Sequence, residues 1–405
     1  MHPNSRKTTP LRLAGAVGAL AATLLLASCS GGPAGASDGP EGKLKVVATT
    51  TQLQDFAAEV GGDDIELTGL LQPGASAHHF DPSPADLLAL SKADVLVVNG
   101  ANLEAFVDSA VQASGFSGKI VTAADGVDLE AAKEITKESG AAGGDGHDHS
   151  HAGEGAGGDA HAHAEGETHA EGDAHAHAEG ETHAHAEGET HAHGAEESHS
   201  HEGEGGAEAG HSHDHGDLNP HIWTSPKLAE GMVNEVAYGF EQADPKHKAE
   251  YQERAKAYTE RLHALDEWTA AQFARVPAAE RVLVSGHNSM TYYLHDYGIE
   301  FAGSILPSFE DNAEPSAADV DALVAKIKEK HVKAVFVESS MSPKLAQTIA
   351  KEAGVKVVDA ETLYADSLGK PGTESGTYIG ATISNTQTIL DAWGAKTDKV
   401  PDTIN

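Results

Sequence analysis

Residues 141–217 hold 17 of the chain's 26 histidines and 19 of its acidic residues, with no lysine or arginine. Nearly every other position there is Gly, Ala, Ser or Thr. The octamer His-Ala-His-Ala-Glu-Gly-Glu-Thr occurs at 161–168, 175–182 and 183–190. A stretch with almost no large side chain to bury cannot offset the entropy of ordering its backbone. It is expected to be a disordered loop, not a stacked solenoid. Any folded core must therefore be assembled from the two flanks, 1–140 and 218–405 of the 405-residue chain. That length is enough for two compact lobes.

The loop's chemistry points to metal. Neutral imidazoles beside carboxylates suit zinc, copper or nickel, and residues such as His147, His149, His151, His161, His163, His211, His213 and His215 are expected to form several loose, exchanging sites. Unperturbed histidine titrates near pH ~6.5, so loading of the loop should fall steeply between about pH 7 and pH 5. A solvated acidic spacer is the plainer alternative, and a metal chaperone or storage protein would use the same composition. The formal net charge of −36 excludes nucleic acid as a partner, since phosphates are held by clustered Lys and Arg. With Cys29 as the only cysteine, neither a disulfide framework nor a cysteine zinc finger is available. A metal must then be held by His, Asp or Glu.

At the N-terminus, Arg6, Lys7 and Arg12 precede an apolar run from Leu13 to Ala27. This reads as a signal peptide, too short to span a bilayer comfortably. It ends in Leu26-Ala27-Ser28-Cys29, which resembles the bacterial lipobox. The match implies cleavage at residue 29 and acylation of the Cys29 thiol; an ordinary buried thiol is the alternative. Residues 30–42 then read as a flexible tether.

From Lys43 onward, short apolar runs alternate with helical patterns. Strands are expected at Leu44–Ala48, Ile65–Leu71, Val95–Val98 and Lys119–Val121, with helices near Leu53–Val60, Pro84–Ser91 and Leu103–Ala113. The alternation returns with strands at Arg281–Ser285, Ala334–Glu338 and Val355–Asp359, and helices at Ser316–Lys330, Pro343–Ala353 and Tyr378–Trp393. The expected class is α/β, with two lobes (43–243 and 277–405), each a parallel sheet with flanking helices. Between them a helix is expected over 244–276, with Asp244 as N-cap, Pro245 in the first turn and an apolar face of Tyr251, Ala255, Tyr258, Leu262 and Leu265. Unbroken, it would be about 48 Å long and could join the lobes. An ordinary surface helix of one lobe fits the periodicity equally well.

Four motifs outside the loop carry a sharper signal. They are Pro73-Gly74-Ala75-Ser76-Ala77-His78-His79-Phe80-Asp81-Pro82, Asn219-Pro220-His221-Ile222-Trp223-Thr224-Ser225-Pro226, Ser285-Gly286-His287-Asn288-Ser289-Met290-Thr291-Tyr292-Tyr293, and Leu363-Tyr364-Ala365-Asp366-Ser367-Leu368 followed by Gly376-Thr377-Tyr378. Taken singly, a histidine near a strand end is usually a hydrogen-bonded structural residue. Together and in this order, the motifs resemble the zinc and manganese solute-binding lipoproteins of bacterial ABC importers, over about Lys43 to Trp393. The resemblance implies two lobes joined by a rigid helix, with a metal between them held by His78, His221, His287 and Asp366. Ala77 stands where the family usually has Pro, Asn288 where Asp is commoner, and His79 remains an alternative to His78.

Three imidazoles and one carboxylate form a four-coordinate set suited to tetrahedral zinc. The family's manganese receptors generally carry Glu at the third position, so His287 favours zinc with manganese still open. Glu338, at a strand end, is a candidate to orient a ligating imidazole. The resemblance further implies a monomeric receptor anchored by lipid to the outer face of the cell membrane, delivering metal to an ABC permease. The competing functions are an extracellular metal buffer or adhesin, and a zinc hydrolase. Against the hydrolase, no HExxH helix or GxSxG elbow occurs, and a fourth protein ligand would close the position a catalytic water needs.

Overall fold

The apolar runs become parallel strands, and those inside the sheets at Val95–Val98 and Val282–Ser285 are buried at every position, as strands covered by helices on each side must be. A computed structural model of the chain describes residues 42–143, 218–306, 314–338, 341–358 and 363–404. The expectations for Cys29, for the tether and for the loop histidines from His147 to His215 fall outside these residues. Residues Lys43–Asn405 form one compact unit containing both lobes.

In the first lobe, β1 (Leu44–Ala48), β2 (Ile65–Gly69), β3 (Val95–Val98) and β4 (Lys119–Thr122) form an all-parallel sheet in the order β2-β1-β3-β4. Its helices are α1 (Thr51–Gly61), α2 (Pro84–Leu90), α3 (Val107–Ser114), α4 (Leu129–Gly143) and α5 (Pro226–Ala243). A long helix, α6 (Lys248–Phe273), follows. In the second lobe, β5 (Val282–Ser285), β6 (Glu300–Ser304), β7 (Ala334–Val335) and β8 (Lys356–Val357) repeat the order as β6-β5-β7-β8, again all parallel. Its helices are α7 (Thr291–Asp296), α8 (Ala317–Glu329), α9 (Lys344–Ala353) and α10 (Tyr378–Ala392). In both sheets the chain reverses winding direction across the first strand. That leaves a crevice at the carboxyl ends of β1/β3 and of β5/β7, where α/β sheets hold ligands.

Several expectations are corrected. The strands expected at Ala334–Glu338 and Val355–Asp359 pair over two residues each, although Phe336 and Val337 are fully buried. There the chain leaves the ladder, and Glu338 pairs only as an isolated bridge with Leu363. The linking helix does not run unbroken over 244–276. A 3-10 turn at Pro245–His247 precedes α6, which ends at Phe273. The Asp244 carboxylate makes no capping bond; it accepts from His247 Nδ1 at 2.6 Å and Tyr251 OH at 3.1 Å.

Helix α6 still serves both lobes. Tyr251, Ala255, Tyr258, Leu262 and Leu265 are buried in the core of the first lobe, while Phe273 packs in the second among Tyr293, Tyr297 and Trp393. The helices α4, α5 and strand β6 were not expected. Helix α4 crosses over to pack on α7 and β6 of the second lobe, so the chain enters the His-rich segment from the seam between the lobes. No helix among the described residues is long and apolar enough to cross a membrane.

Candidate metal centre

Each of the four motifs places its candidate ligand in an irregular segment outside the regular helices and strands. His78 lies in the irregular segment after β2, His221 just before α5, His287 directly after β5, and Asp366 shortly after the bridge at Leu363. One ring nitrogen each from His78, His221 and His287 falls within 4.8 Å of the others. The Nε2 atoms of His78 and His221 are 3.1 Å apart. Asp366 Oδ1 lies 3.2 Å from His287 Nε2 and 3.5 Å from His221 Nε2. His221 and His287 are fully buried and Asp366 nearly so; His78 is half-buried. His79 is exposed and outside this group, so of the two neighbours it is His78 that faces the centre.

Buried charges and imidazoles need partners that fix them. His221 Nδ1 lies 2.7 Å from Asn219 Oδ1. Glu338, fully buried, accepts from Gly286 N at 2.9 Å, His287 N at 3.4 Å and Ser289 Oγ at 2.9 Å, and its Oε1 stands 3.4 Å from His287 Nδ1. Neither ring nitrogen of His287 has a hydrogen bond of normal geometry among the described residues, despite the two carboxylates nearby.

Asp366 belongs to the second lobe, yet the first lobe holds its backbone. Ala365 O accepts from Gln52 Nε2 at 2.9 Å and Trp223 Nε1 at 2.8 Å. Leu368 N donates to Thr51 Oγ1 at 2.9 Å, and Gly74 N donates to Ser367 Oγ at 2.8 Å. Thr51 and Gln52 stand just beyond the carboxyl end of β1, at the crevice the sheet order creates. Sequence reasoning missed Thr51, Gln52 and Trp223 as supports. The available signal was a run of polar residues, Thr49 to Gln52, directly after an apolar strand.

The electrostatics divide the centre. Burial pushes the His221 imidazole down, against the pull of Asp366, and favours its neutral form. Burial acts the same way on His287, but Asp366 and Glu338 together overcome it and hold the imidazolium well above the ordinary histidine range. Burial would raise Asp366, yet His287 and His221 hold its carboxyl well below the usual range. In the metal-free centre the His287 imidazole therefore favours its charged form beside the Asp366 carboxylate.

Residues 46–392 match the family model described as zinc-uptake complex component A, periplasmic. The chain belongs to this family. Members of the zinc-uptake component A family are substrate-binding receptors of metal ABC transporters, not enzymes. The chain is 29% identical over 376 residues to the manganese-binding lipoprotein MntA of Bacillus subtilis (strain 168), covering 92% of this chain and 96% of that one. It is 27% identical over 322 residues to the zinc-binding protein AdcA of Streptococcus pyogenes, covering 78% of this chain and 50% of that protein. Its fold is similar to that of the periplasmic zinc binding protein TroA from Treponema pallidum, with a TM-score of 0.61, 22% identity, and coverage of 88% of this chain and 100% of that one. Within the family, this chain is an extracytoplasmic metal-binding receptor of an ABC importer.

Proposed function

We propose that the receptor captures zinc between its lobes with His78, His221, His287 and Asp366, and delivers it to an ABC permease. The observation that carries this reading is the convergence of three imidazole nitrogens from loops far apart in the chain, with those of His221 and His287 also within 3.5 Å of one buried carboxylate oxygen. Glu338 lies on the Nδ1 side of His287, away from the nitrogen that faces Asp366, and serves to orient that imidazole. The set is therefore rich in nitrogen, which favours zinc over the harder, oxygen-preferring manganese. In this reading residues 43–243 and 277–405 are the metal-binding lobes and 244–276 links them. Cys29 carries a lipid that anchors a monomer to the outer face of the cell membrane. The segment 141–217 collects metal and raises its concentration near the centre through tethering.

Manganese is the rival cargo, supported by the relative named for manganese. Equilibrium affinity alone does not separate the two, because zinc outbinds manganese at almost any nitrogen and oxygen site. Uptake does. Cells lacking the receptor are expected to lose uptake of radiolabelled zinc and keep that of manganese, and removing 141–217 should weaken zinc uptake only when zinc is scarce. Loss of manganese uptake with zinc uptake intact would reverse the assignment.

A further inference from the structure

We infer that Asn219 is a positioning residue whose single side-chain amide sets the tautomer of His221 and ties that imidazole to the His287 loop across the lobes. The inference rests on the metal-centre reading above and adds a residue which that reading does not use. Asn219 is fully buried. Its Oδ1 accepts from the backbone N of His221 at 3.0 Å. Its Nδ2 donates to the carbonyl of Asn288 at 2.7 Å and to Thr291 Oγ1 at 2.8 Å. A backbone N–H can only donate and a carbonyl can only accept, so the two ends of the amide cannot be exchanged. The atom facing His221 Nδ1 is therefore an oxygen, and that ring nitrogen must carry the proton. Nε2 is left with its lone pair directed at His78 and Asp366.

The same residue is held from both lobes. Its backbone N donates to Thr136 Oγ1 of α4 at 3.1 Å, and its carbonyl accepts from Tyr292 OH of α7 at 2.6 Å. Thr291 in turn donates to Asn288 Oδ1 at 2.7 Å, which closes the link to the residue after His287. His221, contributed by the first lobe, and His287, contributed by the second, are thus two ligands on one hydrogen-bonded frame. The frame pre-positions the pair before metal arrives and slows metal loss afterwards.

The test reads the tautomer and the metal separately in the full-length mature chain. Nitrogen-15 NMR of the metal-free protein should show His221 as the Nδ1–H tautomer. Asn219→Asp, which keeps the acceptor and loses both donors, should retain that tautomer; Asn219→Ala should mix it with the Nε2–H form. Chelator competition for zinc at the tightest site should show a loss of affinity of about 10–100-fold in Asn219→Ala. In Asn219→Asp and Thr291→Ala, zinc should dissociate faster by about tenfold or more, with the cobalt absorption spectrum of the site unchanged. An Nε2–H tautomer at His221 in the wild type overturns the inference even if no variant folds. His287→Ala run alongside separates the two readings. If it leaves the tightest site intact, the metal centre is misassigned; if it abolishes that site while the Asn219 and Thr291 variants bind and release zinc as wild type does, only the role of Asn219 falls.

Discussion

The two lobes share a strand order and differ in what their strands deliver. In the first, the β1–β2 ladder runs from Leu44↔Ile65 to Ala48↔Gly69 without interruption, and the lobe contributes to the candidate centre two imidazoles, His78 and His221, and no carboxylate. In the second, the register slips between Leu283 and Val284, and β5 meets β7 only at Val284↔Val335. Its strands β7 and β8 stop after two residues each, and Glu338 lies just past the early end of β7. A sheet can stay regular when its loops supply only imidazoles. Burying an imidazolium and two carboxylates requires backbone donors such as Gly286 N and His287 N, which a regular ladder would have used. The first lobe then steadies the second, through the bonds from Gln52, Trp223, Thr51 and Gly74 to the segment carrying Asp366.

This contrast can be broken experimentally. The largest stability effect is expected in the regular lobe. Phe56, fully buried against Tyr258 and Tyr378, should cost about 3–5 kcal/mol when changed to Ala, measured by denaturant unfolding, with metal stoichiometry unchanged. Asp366→Ala should act on metal binding as well as on stability. It should weaken zinc binding at the tightest site at least about 100-fold, because ligand loss exceeds the 10–100-fold typical of an outer partner. It should also destabilise the metal-free protein by about 3 kcal/mol, since the His287 imidazolium loses its nearest counter-charge. Unaltered zinc affinity in this variant would remove the second lobe's role as charge donor.

A smaller effect sits where both lobes meet the long helix. Asp55 of α1 accepts from Tyr258 OH of α6 at 2.9 Å and from Tyr378 N of α10 at 3.0 Å. Burial pushes its carboxyl up from 3.8 to about 6 despite those bonds. The folded state therefore prefers the protonated form. Asp55 contributes stability that is fully present below about pH 4 and lost as pH rises through about 6. Asp55→Asn keeps the acceptor oxygen and removes the charge. It should stabilise the protein at pH 7 by at most about 3 kcal/mol, with the gain vanishing near pH 4. Equal stabilisation at both pH values would show that the seam does not disfavour the charge. The smallest expected effect compares like with like. Ser83 and Ser316 form the same capping box, at α2 in the first lobe and α8 in the second. Each change to Ala should cost about 1 kcal/mol. A markedly smaller cost at Ser316, from matched unfolding curves, would show that the second lobe unfolds independently of the first.

Strands β1 and β3 are legible to the residue because their apolar runs coincide with their ladders. Strands β7 and β8 are not, because an apolar run reports burial and not pairing: Phe336 and Val337 are buried, yet the ladder ends with the bond from Phe336 N to the Val284 carbonyl. Helix α5 carried the start signal of Ser225 capping Leu228 N with Pro226 in the first turn, the same kind of signal seen at Asp244-Pro245. It was obscured by Gly231 and Gly239, which lower helix propensity and are present because a Cβ would collide with the Gly126 carbonyl and with Val121. In the centre, the order of the four motifs pointed to His78, His221, His287 and Asp366, and the structure brings these side chains together. What supports them was hidden because bonds such as Gln52 to Ala365 join residues 313 positions apart and leave no local pattern. Asn219 lies inside the second motif, yet its side-chain amide bonds to Asn288 and Thr291 in the other lobe.

The most direct test is anomalous diffraction from crystals of the full-length mature chain carrying one equivalent of zinc, at pH 7. The account predicts one strong peak at the seam, about 2.0–2.1 Å from a ring nitrogen of each of His78, His221 and His287 and about 2.0–2.2 Å from an Asp366 oxygen. A peak held by other side chains, with those three imidazoles too far apart to share an ion, would contradict it.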